Sequence, residues 1–275
     1  MVIVSMTTCS ARIKNIPAVL DSIYSQTMLP DKVVLNLAYD EVVPDEVQIY
    51  IDAHGVEVYR TKDTKVYKKL FPTLLRYPQA CVINIDDDFI YPKGMIEDFM
   101  EIHEKYPNNP ISGNKYVMHG LTCHCGWASL SKLEHFGEFL DIVDDDFIKQ
   151  CPCDDIACTY FASKSGHPHV VAKGLYDTNL ESYNAVDPYS PANDERVENS
   201  FRYLVSRFGE IDVKELINGY VDDKFVSGVL YKMFVQINEE QRIGVKFKTE
   251  LEIRNSKPYR LGKALLKPFK IFKKK

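Results

Sequence analysis

Short apolar runs alternate along the first half of the chain with segments in which apolar residues recur every three or four positions. The apolar runs predict four strands, at Val2–Thr8, Lys32–Ala38, Val56–Arg60 and Cys81–Ile85. The wider spacing predicts amphipathic helices after the first and the fourth of these strands. Strands that alternate with helices favour an α/β fold with a mostly parallel central sheet and flanking helices.

The second half of the chain carries a less regular pattern. We expect a helix from Asp154–Asp155 to just before Gly166, and an exposed acidic loop at Asp144–Asp146. A polar segment rich in tyrosine and proline, residues 175–195, predicts a mobile loop or a binding lid. Because a helical pattern then returns, we expect a domain over residues 1–195, a helical region over 196–256 and a basic amphipathic tail over 257–275.

Composition narrows the class of protein. With 275 residues, 45% of them hydrophobic, the chain can bury a sizeable core. No apolar run reaches about 18 residues and the N-terminus lacks the pattern of a signal peptide, so we expect a cytoplasmic protein whose cysteines are thiols. The close pairs Cys123 with Cys125 and Cys151 with Cys153 are spaced more tightly than structural zinc ligands usually are.

Charge is distributed unevenly along the chain. Residues 257–275 hold eight of the 34 lysines and arginines and no acidic residue, interleaved with leucine and aromatic side chains. A cationic and apolar segment suits an anionic membrane surface, which predicts a peripheral protein at the inner face of the cell membrane. The rest of the chain is acidic and would be repelled by nucleic acid, so we expect no nucleic-acid partner. The alternative is a solvated, frayed terminus.

Three consecutive carboxylates follow the fourth predicted strand. Asp86, Asp87 and Asp88 lie where a parallel sheet usually binds ligands, beyond the carboxyl ends of its strands. Thr7–Thr8 end the first strand at the same edge. Adjacent carboxylates repel one another, so either water screens them in an exposed turn or a divalent cation lies among them.

Four segments, in chain order, resemble the nucleotide-sugar-dependent glycosyltransferases of the GT-A fold, and most of all bacterial enzymes that elongate surface polysaccharides. The segments are SMTTCSARIKNIPAVLDSIYSQTMLPDKVVLNL, KVYKKLFPTLLRYP, VINIDDDFIYP and CDDIACTYF. The resemblance implies a GT-A, Rossmann-like sheet with a nucleotide-binding half over residues 1–110 and an acceptor half over 111–195. It also implies a nucleotide-sugar donor, most simply a UDP-sugar, and a saccharide or lipid-linked saccharide acceptor.

The resemblance assigns roles on the donor side. The family's paired-aspartate motif maps onto Asp86 and Asp88, with Asp88 as the direct ligand of Mn²⁺ or Mg²⁺ and Asp86 at the metal or the ribose. Asp87 would face the donor sugar. Such a metal neutralises the charge of the departing diphosphate.

Four more donor-side residues are implied by their positions. Members of the family contact the nucleoside at the positions of Thr7, Thr8 and Arg12. They have a basic residue near the diphosphate at the position of Lys69. Alternatively, the two threonines simply end a strand, and the two cations form surface ion pairs.

On the acceptor side, the pair in CDDIACTYF matches the acidic pair of inverting members. Asp155 would be the base that takes the acceptor's proton, and Asp154 would position the acceptor or the base. Capping of a helix is the alternative for both. Trp127 could stack on a sugar ring or lie in the core, while His167 and His169 are available as further metal ligands.

Two other functions remain open at this point. A sugar-phosphate nucleotidyltransferase usually has a glycine-rich loop after its first strand, whereas SMTTCSARIKN contains no glycine. A non-catalytic carbohydrate-binding or membrane-associated protein would not need both Asp88 and Asp155.

Overall fold

A seven-stranded, mostly parallel sheet forms the centre of the fold, as the hydrophobic pattern predicts. The computed structural model describes residues 1–113, 117–118, 121–124, 127–172 and 191–212. The strands are β1 (Val2–Thr7), β2 (Lys32–Ala38), β3 (Glu57–Thr61), β4 (Cys81–Ile85), β5 (Ile111–Ser112), β6 (Val117–Met118), β7 (Leu121–Thr122), β8 (Ala128–Ser131) and β9 (Val170–Val171). The sheet has the order β3-β2-β1-β4-β8-β5-β9, and β6 pairs separately with β7.

Helices connect the strands and cover the sheet. They are α1 (Ile16–Tyr24), α2 (Asp45–Ala53), α3 (Phe71–Arg76), α4 (Met95–Lys105), α5 (Asp145–Gln150), α6 (Asp154–Lys164) and α7 (Pro191–Phe208). Three 3₁₀ segments in the described residues span Ile13–Asn15, Lys65–Lys69 and Leu133–Ile142. The last of these kinks at Gly137, whose φ of 55° suits a residue without Cβ.

The parallel half of the sheet comprises β3, β2, β1 and β4. These strands are the four apolar runs of the sequence, and β2 and β4 have the predicted bounds. Every residue of β1 from Val2 to Met6 is buried, which is expected for a strand covered on both faces. The predicted α/β fold with flanking helices is therefore confirmed.

One face of the sheet changes from apolar to polar along the strand direction. Ile3, Val34 and Val82 pack into a core with the helical segment Leu133–Ile142 and with α6. Further along the same strands lie Ser5, Asn36 and Asn84, all fully buried. A buried polar layer thus leads from the apolar core to the carboxyl edge of the sheet, where ligands of parallel sheets bind.

One local prediction was wrong. Asp144–Asp146 do not form a loop: they begin α5, and the Asp144 carboxylate accepts a hydrogen bond of 2.7 Å from the backbone N–H of Phe147. The signal for this cap was present, since an acidic residue before an apolar pair is a common helix start. The predicted helix at Asp154, by contrast, is confirmed as α6.

Other predictions are settled only in part. Cys123, Cys151 and Cys153 are free thiols, whereas Cys125 lies outside the described residues. No helix in the described part of the chain is both long and apolar enough to cross a bilayer. Most of the predicted lid and all of the basic tail lie outside the described residues, and α7 runs through residue 195, so the domain division stays a prediction.

Candidate active site

Side chains that follow β1 and β4 meet at the carboxyl edge of the sheet. The Thr8 hydroxyl donates a hydrogen bond of 2.6 Å to one carboxylate oxygen of Asp87. Two guanidinium nitrogens of Arg12 lie 3.1 Å from the other oxygen of Asp87 and 3.0 Å from Asp88. Arg12 reaches them from a turn that its own backbone N–H closes on the Cys9 carbonyl at 2.8 Å. The turn after β1 therefore binds the three-aspartate turn after β4.

Burial disfavours the charged forms of Asp87 and Asp88. Burial raises the pKa of Asp88 to about 6, and the charge of Asp86 adds to this, while Arg12 opposes it. Burial also raises the pKa of Asp87, although the Thr8 hydrogen bond and Arg12 lower it. The site therefore favours additional positive charge near Asp88.

Lys69 joins these aspartates to the acidic pair of α6. Its Nζ lies 2.9 Å from Asp154, 3.1 Å from Asp86 and 3.9 Å from Asp155. Burial acts to lower the pKa of Lys69, but the charges of Asp154, Asp86 and Asp155 raise it well above its usual value. One buried ammonium thus connects two carboxylate groups that are far apart in the sequence.

A hydrogen-bonded cluster beneath Lys69 fixes its backbone. The Ser5 hydroxyl donates to the Lys69 carbonyl at 2.6 Å and lies 2.7 Å from the Thr73 hydroxyl. The Asn36 amide donates to both hydroxyls, at 3.0 and 2.9 Å. Sequence reasoning missed this cluster, although polar residues inside otherwise apolar strands were a visible signal for it.

The two carboxylates at the start of α6 have different surroundings. The Asp154 side chain is 10% exposed and pairs with Lys69, whereas the Asp155 side chain is 34% exposed. Cys153, which precedes the helix, makes no capping hydrogen bond through its side chain. Asp154 is instead paired with Lys69, which lies outside α6. The Asp155 side chain is thus the more exposed of the two.

Thr7 and Trp127, two of the predicted site residues, make contacts within the protein. Thr7, the last residue of β1, donates from its hydroxyl to the Asn36 carbonyl at 2.7 Å. Trp127 is only 8% exposed and its ring lies 5.4 Å from that of Tyr91. A Cβ on Gly113 would come within 2.6 Å of the indole, so the ring fills the space that this glycine leaves. Trp127 thus lies in the core.

Tyr91 is a further residue that sequence reasoning missed. Its hydroxyl accepts a hydrogen bond of 2.9 Å from the backbone N–H of Asp86 and lies 2.7 Å from the Trp127 carbonyl, to which it donates. It therefore fixes the exit of the chain from β4 into the aspartates. The signal was a tyrosine three positions after the last aspartate.

The candidate histidines have partners elsewhere. His167 lies 2.8 Å from the Asn108 carbonyl, and His169 lies 3.0 Å from the ring of buried His124. Among the described residues, no group of three or more His, Cys, Asp or Glu side chains is arranged to hold a metal ion.

The carboxylate oxygens of the site nevertheless suit a divalent cation whose remaining ligands come from a bound phosphate. Mg²⁺ usually takes only one or two protein carboxylates when phosphates complete its shell, and hard oxygen ligands also suit Mn²⁺. Asp86 and Asp88 supply such oxygens. Within the described part of the site, the carboxylates of Asp86–Asp88 and Asp154–Asp155 outnumber the cations Arg12 and Lys69.

Comparison with known proteins gives fold similarity only. No family model and no curated protein matches the sequence. Solved structures similar to this chain include glucosyl-3-phosphoglycerate synthase from Mycobacterium tuberculosis with Mn²⁺, UDP-glucose and phosphoglyceric acid (18% identity, 41% of this chain, 42% of that chain, TM-score 0.32). Others are S. aureus TarS 1-349 with UDP (13%, 82%, 73%, 0.47) and a cytidylyltransferase from Leptospira borgpetersenii (11%, 82%, 94%, 0.46).

These similarities are partial and concern the fold alone. In the first of these comparisons the matched region spans 42% of the synthase chain, and all three TM-scores are below 0.5.

Proposed function

We propose that this chain is a metal-dependent, inverting glycosyltransferase that moves a sugar from a nucleotide sugar, most simply a UDP-sugar, to a saccharide or lipid-linked saccharide. The observation that carries this proposal is the position of Lys69. Its ammonium lies 3.1 Å from Asp86 and 2.9 Å from Asp154, so a donor-side and an acceptor-side carboxylate belong to one site. A transfer reaction needs both kinds of group close together.

On the donor side, Asp88 and Asp86 would hold Mn²⁺ or Mg²⁺. Bound there together with the diphosphate, the metal would act as a Lewis acid that neutralises the charge of the leaving group. Thr8 and Arg12 would lie beside the nucleotide. Asp87, which bonds to both, orients them.

On the acceptor side, Asp155 acts as the general base. The acceptor oxygen attacks the anomeric carbon, the bond from that carbon to the diphosphate oxygen breaks, and the acceptor's proton passes to the Asp155 carboxylate. Partial exposure of this carboxylate supports the role, since a base must meet its substrate. Asp154, held by Lys69, keeps the first turn of α6 in place.

The proposed acceptor lies at the membrane. The cationic, apolar tail over residues 257–275 supports an acceptor carried on a lipid at the inner face of the membrane.

The first test measures UDP release from a panel of UDP-sugars with Mn²⁺ and mixed oligosaccharide acceptors. We expect turnover in the wild type, and loss of roughly 10²–10⁴-fold in kcat for Asp155→Asn with UDP binding retained. Pyrophosphate release from a nucleoside triphosphate and a sugar phosphate would instead indicate a nucleotidyltransferase. Sugar binding without turnover, unchanged in Asp155→Asn, would indicate a non-catalytic protein.

A further inference from the structure

Each carboxylate that would bind the metal already has a cationic partner from the chain. Arg12 lies 3.0 Å from Asp88, and Lys69 lies 3.1 Å from Asp86. A divalent cation must therefore compete with these side chains for the oxygens it needs. The protein's own cations make the run of aspartates tolerable, an arrangement that the sequence alone did not suggest.

The two cations differ in how firmly they are held. The Lys69 side chain is buried and has Asp154 and Asp155 as further partners, so it stays in place if Asp86 turns to another cation. The Arg12 side chain is 38% exposed, whereas the Asp88 side chain is 9% exposed. Arg12 is therefore the partner that can move outward, and Asp88 is the one that stays.

Movement of Arg12 requires a new anion for its guanidinium. Phosphate oxygens match the planar fork of a guanidinium as well as carboxylates do. A nucleoside diphosphate bound at this edge of the sheet would supply such oxygens. Asp87 would still be held after the exchange, because the Thr8 hydroxyl donates to it at 2.6 Å.

We propose that Arg12 is a placeholder cation, by which we mean a side chain that neutralises Asp88 until a divalent cation and a diphosphate bind together. The cation then takes the Asp88 carboxylate, and Arg12 transfers to a phosphate. This inference rests on the proposed function, in which Asp88 is a metal ligand. Its consequence is positive coupling: the cation alone binds weakly, and the diphosphate strengthens its binding.

The experiment measures Mn²⁺ binding directly, from the paramagnetic resonance signal of the free ion, with and without UDP. The variants are Arg12→Gln, which removes the charge, and Arg12→Lys, which keeps the charge without the fork. Arg76→Gln is the matched control, because Arg76 pairs with Glu57 at 3.0 Å with similar exposure and makes no contact with the aspartates. Thermal unfolding of each variant establishes that it is folded.

We expect UDP to tighten Mn²⁺ binding to the wild type, within the usual coupling range of about 5–150-fold. Arg12→Gln should bind Mn²⁺ alone at least about fivefold more tightly than the wild type does, with a smaller further gain from UDP. Arg12→Lys should lie between the two, and Arg76→Gln should match the wild type.

Two results would overturn the inference, and they are distinguishable. If Mn²⁺ binds with UDP but Arg12→Gln binds Mn²⁺ alone no more tightly than the wild type, Arg12 is not a placeholder and the proposed function stands. If neither the wild type nor any folded variant binds Mn²⁺, with or without UDP, both proposals fail.

Discussion

Two neighbouring lysines are expected to contribute differently to stability, because the carboxylates they pair with differ in burial. Lys68 and Lys69 follow one another in the same 3₁₀ segment and both are buried. Lys68 pairs with Asp63, which is partly exposed, while Lys69 pairs with the buried Asp154. Removing the Lys68 ammonium therefore leaves a partly exposed carboxylate, whereas removing the Lys69 ammonium leaves a buried one.

Lys69→Met should be the more damaging of the two substitutions. It leaves Asp154 as an unpaired buried charge, which typically costs about 3–5 kcal/mol of the free energy of unfolding. Lys68→Met should cost about 1 kcal/mol or less, because water can solvate Asp63. Urea unfolding of both variants measures the difference.

A double-mutant cycle identifies the cause. Adding Asp154→Asn to Lys69→Met should recover part of the lost stability, since the most buried of the carboxylates that Lys69 neutralises is then uncharged. Equal losses for Lys68→Met and Lys69→Met would contradict the special position of Lys69.

At the scale of elements, two helices begin with the same kind of residue and use it differently. Asp144 caps α5 through the N–H of Phe147, whereas Asp154 at the start of α6 binds Lys69 on another element. Acidic residues suit the first turn of any helix because of the macrodipole. The sequence pattern therefore does not distinguish a structural carboxylate from one in a site.

Asp144→Ala should destabilise the protein by about 1 kcal/mol, which is typical for loss of an N-cap. Transferase activity per folded molecule should not change, because α5 contributes no residue to the proposed site. Asp146→Ala is the control: its exposed carboxylate makes only a surface ion pair with Lys149, so its loss should cost little. Equal costs for the two variants, measured by thermal unfolding, would argue against the cap.

At the scale of the whole molecule, buried histidines make the fold sensitive to acid. Burial lowers the pKa of His135 to about 2, and it lowers the pKa values of His124 and His169 well below their usual range. Below about pH 6.5 the unfolded chain takes up protons on these residues that the folded chain does not. The free energy of unfolding should therefore fall as the pH drops from 7.5 to 5.5.

Asp88 opposes this effect in part, because its pKa of about 6 lets the folded state take up one proton in the same range. The raised pKa of Asp87 acts in the same direction as that of Asp88, but three histidines outweigh two carboxylates, since each group can contribute up to about 1.4 kcal/mol per pH unit. Urea unfolding at several pH values measures the slope, and His135→Gln should make it shallower. A free energy of unfolding that stays constant or rises on acidification would refute this account.

The parallel part of the fold followed from local pattern, since the four apolar runs became β1 to β4. The structure brings Thr8, Arg12, Lys69, Asp86–Asp88 and Asp154–Asp155 together, while their roles remain proposals. The short strands β5, β8 and β9 were missed, because two to four residues are too few to show a period. They exist because the edge of β4 offers backbone partners to β8, and β8 in turn to β5.

By itself, the sequence determined where the four strands β1 to β4 lie in the chain and that carboxylates follow the last of them, since burial imposes a periodicity that can be read residue by residue. Only the tertiary structure decided which cations neutralise those carboxylates. Arg12 and Lys69 reach Asp88 and Asp154 from 76 and 85 positions away, and no local pattern encodes such a pairing. The physical reason is that parallel strands gather their carboxyl ends at one edge, so residues distant in sequence become neighbours there.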